Sequence, residues 1–68
     1  MEGTVVNFDE RAGWGRVAGD DGDGDERFFH CTAVADGSRT IAKGTAVRYD
    51  LVPGHLGRWE AWGITPRD

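Results

Sequence analysis

Two clusters of rings in this sequence could do chemistry. Trp14 stands between Gly13 and Gly15, and Phe28, Phe29 and His30 follow one another just before Cys31. Flat side chains of this kind suit stacking on nucleic-acid bases, because every base has a π face. Glycine inside a strand often marks the close approach of another group. The glycines beside Trp14 therefore point to a ring on a ligand-facing surface rather than in the core. Phe28 and Phe29 are adjacent, so within a strand one faces inward and the other outward. With His30 on the side of Phe28, Phe29 becomes the core residue. Arg16 reads equally well as a ligand contact and as a solvated surface charge. Between the clusters, Gly19 to Glu26 carries Asp20, Asp21, Asp23, Asp25 and Glu26, a loop that repels a polyanion.

Other chemistries find less support. Asp21, Asp23 and Asp25 have the spacing of the first calcium ligands of an EF-hand loop. That loop needs Gly at its sixth place and an acid at its twelfth, and these hold Glu26 and Thr32. The expected reading is a solvated hairpin loop without metal. His30 and Cys31 have no second ligand pair, so zinc is not supported. His55, in a Gly-rich turn, reads as solvated. No nucleophile–base–acid set, phosphate loop or paired catalytic carboxylate stands out. The expectation is a non-enzyme with no cofactor.

The elements that must position the rings are short. Sixty-eight residues make one domain, 1–68, and a chain this small has a thin core worth ~3–5 kcal/mol in net stability. Cys31 is the only cysteine, which fits a reducing compartment, and no signal-like or membrane-spanning run is visible. The expectation is a cytoplasmic protein with no membrane partner. A net charge of −4 weighs against tight duplex binding, which rests on neutralising many phosphates. It leaves single-strand binding open, since stacking supplies much of that energy. Seven of the eight basic side chains are Arg, the residue better suited to stacking and bidentate phosphate contacts.

Eleven glycines punctuate five strand-like runs, Gly3–Phe8, Trp14–Ala18, Arg27–Cys31, Thr45–Val52 and Arg58–Thr65. In the fourth, Val47, Tyr49 and Leu51 alternate with Ala46, Arg48 and Asp50, the period of a half-buried strand. Thr32–Gly44 reads as a long connection with a helical turn near Thr32–Ala35, and residues 66–68 read as a frayed tail. Five short strands at this length are best buried by curling one sheet into an all-β, five-stranded antiparallel barrel. Trp59 and Trp62 are three apart, so a regular strand puts them on opposite faces. Trp62 shares parity with Ile64 and is expected in the core, leaving Trp59 exposed.

The order of these signals resembles the bacterial cold-shock proteins. "GWGRV" and "RFFHC" resemble that family's two aromatic motifs, roughly K-G-F-G-F-I and V-F-V-H-F. "EGTVVNFD", "KGTAVRYDL" and "GRWEAWGI" resemble its opening, fourth strand and ending, so the resemblance spans about residues 2 to 65. It implies an OB-fold barrel that binds single-stranded RNA or DNA across its sheet face. Trp14, Phe28 and His30 stand at family ring positions. Asn7, Arg16, Cys31 and Ser38 stand where the family has further rings, and Ala12 and Val6 where it often has Lys. Each lost stack removes ~1–3 kcal/mol, so binding is expected to be weak, about micromolar or poorer. Arg16, Arg39, Arg58 and Trp59 offer partial compensation. The expected site is thus Trp14, Arg16, Phe28, His30, Arg39, Arg58 and Trp59, acting in RNA-chaperone or transcription and translation control. The alternative is a diverged module that binds a protein partner, or itself as a homodimer, through the same rings. Composition does not separate the two. A nucleic-acid face requires Arg16, Arg39 and Arg58 gathered beside the rings.

Overall fold

The computed structural model describes residues 1–20 and 26–67, with the side chain of His55 excepted. The calcium-like Asp21, Asp23 and Asp25, the solvation of His55 and the terminal Asp68 lie outside the described residues. Five strands form: β1 (Glu2–Asp9), β2 (Trp14–Gly19), β3 (Glu26–His30), β4 (Ala46–Pro53) and β5 (Trp59–Pro66). They close into a barrel in the order β1-β2-β3-β5-β4, with β4 returning to β1. Neighbours run antiparallel except β3 and β5, which meet in parallel at the rung Phe28–Glu60. Short 3₁₀ turns lie at Cys31–Ala33 and His55–Gly57. Among the described residues no helix is long and apolar enough to cross a membrane.

Alternation along each strand fills the interior. Val5, Val17, Phe29, Val47 and Ile64 are fully buried, one from each strand, each stabilising by roughly 1.5–3 kcal/mol over exposure. Phe8 lies parallel to Phe29, with ring centroids 5.8 Å apart. Val34 and Ile41, from the connection between β3 and β4, join this core. On β4 the expected alternation holds, with Val47 and Tyr49 buried and Arg48 and Asp50 exposed.

Two expectations about the last strand are overturned. Trp62 is not a core residue: it is 49% exposed, against 55% for Trp59. Trp62 pairs with Asp50 and Thr65 with Arg48, so two residues, Gly63 and Ile64, oppose Tyr49 alone. Gly63 takes φ +63°, and this bulge breaks the period of two. Trp62 therefore points out while Ile64 points in. The tail expected to fray is instead tied down. Pro66 belongs to β5, and the Arg67 amide donates to the Ala46 carbonyl at 2.9 Å. The Arg67 guanidinium pairs with Glu2 at 2.9 Å and with Asp20. The Asp20 contact holds that guanidinium above its ordinary pKa.

Candidate nucleic-acid interface

The turn before β2 launches the first ring. The Asp9 carboxylate accepts the amides of Arg11 and Ala12 at 3.0 and 3.1 Å, a side-chain mimic of a backbone turn. Gly13 closes it at φ +76°, donating to the Asp9 carbonyl, and its own carbonyl accepts the Cys31 amide at 2.8 Å. This clamp sets Trp14 beside β3, where it is the cross-strand partner of His30, and Arg16 is the partner of Phe28. Trp14 and Phe28 stack with centroids 5.4 Å apart and planes 28° from parallel. The His30 ring meets Phe28 edge-on, 5.1 Å away at 88°. Both separations lie in the favoured range for ring pairs. His30 is exposed, Phe28 and Trp14 are half-buried, and Phe29 is buried, as the alternation required.

Gly15 beside Trp14 does mark a close approach, but not by the group the sequence suggested. A Cβ on Gly15 would run into the Asn7 carbonyl and stand only 2.9 Å from the Phe8 and Phe29 rings. The group in close approach is the barrel's own interior, not a ligand.

An open groove of about 900 Å³ runs past these rings. Trp14, Arg16 and Phe28 line it from β2 and β3, and Arg58 and Trp59 reach it from the start of β5. The turn between β4 and β5 makes this possible. Gly54 donates to the Arg58 carbonyl at 2.6 Å, Gly57 sits at φ +74°, and Leu56 adopts the left-handed region at φ 56°. Leu56, 86% exposed, stands on the groove wall. No signal in the sequence marked it, because its exposure follows from the turn.

Five of the seven expected site residues thus line one groove, and His30 adjoins it through its contact with Phe28. Arg39 does not line it, so the gathering of Arg16, Arg39 and Arg58 expected of a nucleic-acid face is met by Arg16 and Arg58 and not by Arg39. It belongs to the long connection, where the Ser38 amide donates to Asp36 at 2.9 Å and the Thr40 hydroxyl to Glu10 at 2.7 Å. The Ser38 amide holds the Asp36 carboxyl below its ordinary pKa. At Ser38, where the resemblance implies a ring, the hydroxyl instead donates to the Thr40 carbonyl at 3.1 Å.

The groove's charges are mixed. Arg16, Arg27 and Arg58 face Glu26 and Glu60. Arg16 meets Glu26 through its Nε at 3.6 Å, an exposed and therefore weak pair. Arg58 has no acidic partner among the described residues.

The chain is similar to known proteins along nearly its whole length. The model of the 'Cold-shock' DNA-binding domain matches residues 1–66. Cold shock protein ScoF of Streptomyces coelicolor is 38% identical over 65 residues, covering 94% of both chains. Glycine-rich protein 2 of Nicotiana sylvestris is 34% identical over 68 residues, covering 98% of this chain and 31% of that protein. The chain therefore spans about a third of the length of the plant relative.

Proposed function

This chain belongs to the cold-shock domain family, a nucleic-acid-binding family, and on that premise we propose that it binds single-stranded RNA or DNA. The strand lies in the groove and stacks splayed bases on Trp14, Phe28, His30 and Trp59, with Arg16 and Arg58 meeting backbone or base edges. Arg39 acts only on the flank of the strand. No bond is made or broken. Binding withdraws single strands from secondary structure, which is the action of an RNA chaperone and of a regulator of transcription or translation. The observation that carries this reading is the Trp14–Phe28–His30 array beside an arginine that lacks an acidic partner among the described residues. Stacking on such platforms tolerates any base. Affinity is modest, because Asn7, Arg16, Cys31 and Ser38 supply no rings and two carboxylates share the groove.

Fluorescence anisotropy of a labelled short oligo(dT) or oligo(U) tests the reading. Saturable binding is expected at about micromolar protein or above, lost or weakened at least roughly tenfold by Trp14→Ala. Absence of binding up to high micromolar protein would transfer the aromatic face to a protein partner or a second copy.

A further inference from the structure

Among the described residues Leu56 is the most exposed large apolar side chain, at 86%. Its backbone is as unusual as its exposure. Leu56 stands in the left-handed region at φ 56° and ψ 35°, and Gly57 follows at φ +74°. Two successive left-handed residues between strands call for Asn-Gly, Asp-Gly or Gly-Gly, because a larger side chain crowds its own backbone there. Leucine at the first place is therefore strained. It gives the core nothing in return, being neither buried nor packed against the buried cluster. The turn is closed without it, by the Gly54 amide on the Arg58 carbonyl. A residue that breaks local turn chemistry and buries nothing points to a role outside the fold. That role has a place: Leu56 lines the groove from the β4–β5 side, together with Arg58 and Trp59.

Resting on the single-strand reading, we infer that Leu56 is a further base-contact residue of the groove, the apolar partner of Trp59. A leucine carries no charge and no hydrogen-bonding group, so it gains nothing from a phosphate or from the polar edge of a base. It gains by covering the apolar face of a base, which takes both surfaces out of water. A base held on the Trp59 side of the groove meets Leu56 on the same wall. The contribution is sequence-tolerant, because every base has such a face. It is also independent of salt, whereas a phosphate contact by arginine weakens as salt rises. The left-handed backbone displays the side chain to the groove instead of letting it fold back on the barrel.

Leu56→Asn separates this role from a structural one, because Asn fits the left-handed turn and removes the apolar group. Anisotropy of labelled oligo(dT) at several salt concentrations, with thermal unfolding alongside, provides the test. The variant is expected to bind roughly three- to tenfold more weakly, with Tm unchanged or raised and the slope of log Kd against log salt unchanged. Leu56→Met, which keeps an apolar side chain, is expected to stay within about twofold of the unmodified protein. Unchanged affinity in Leu56→Asn overturns the inference while the single-strand reading stands. So does a fall in Tm, which would make Leu56 a structural residue. A flatter salt slope overturns it as well, since Leu56 would then act by positioning Arg58. Equal losses in the Asn and Met variants exclude an apolar contact. Failure of the unmodified protein to bind removes both the inference and the reading beneath it.

Discussion

The outer face of β2 and β3 and the seam where the start of β1 meets β4 and the end of β5 are built on the same alternation, yet they carry opposite kinds of side chain. On the first, rings touch rings: Trp14 on Phe28 and Phe28 against His30. On the second, charges meet charges. Glu2 accepts from both Arg48 and Arg67, and Arg67 also holds Asp20. A ring array left half open to water keeps its stacking faces for something else. A network whose charges answer one another has little left to offer a ligand, and it ties the end of β5 to the start of β1 and the end of β2. The division assigns binding to one side of the barrel and closure to the other.

The largest effect is expected where the two roles meet the core. Gly15→Ala pushes a methyl group into the Asn7 carbonyl and the Phe8–Phe29 pair, costing about 1–3 kcal/mol. Against a total of ~3–5 kcal/mol, thermal unfolding by circular dichroism should show a steep fall in Tm. An unchanged Tm would mean that the barrel yields there freely. Trp14→Ala, next in size, should reduce oligonucleotide affinity at least roughly tenfold with little change in Tm. A large drop in Tm instead would make Trp14 a structural ring. Arg67→Ala should do the reverse, lowering Tm modestly while leaving oligonucleotide affinity within about twofold. Affinity lost in step with Tm would erase the division between the faces. Smallest of all, Trp62→Ala should leave binding within about twofold, because Trp62 does not line the groove. A loss comparable to that of Trp14→Ala would extend the interface around β5.

The sequence pattern carried most of this division. Period-two alternation placed Phe29 inside and Phe28 and His30 outside, and it placed Val47 and Tyr49 correctly on β4. It failed at Trp62 because one glycine at φ +63° resets the alternation, and a period gives no warning of where it will be interrupted. Arg67 was invisible for another reason. Its partners Glu2 and Asp20 are distant in the chain and meet it only when β4 lies between β1 and β5. Glu60 faces Phe28 by the same kind of non-local closure, through the parallel β3–β5 rung. Arg39 was placed in the site by its nearness in sequence to a family ring position, but the turn chemistry of Asp36, Ser38 and Thr40 shapes that loop from within.

The central claim is that the ring face takes single strands chiefly by stacking. Anisotropy titrations of one labelled sequence, as a single strand and as a duplex, at rising salt test it most directly. Single-strand binding with a shallow dependence of log Kd on log salt is predicted, because Glu26 and Glu60 offset much of the arginine charge in the groove and stacking is not screened. Duplex binding should be far weaker, since paired bases have no faces to give. Equal or tighter duplex binding with a steep salt slope would contradict the account, as the affinity would then come from phosphate contacts.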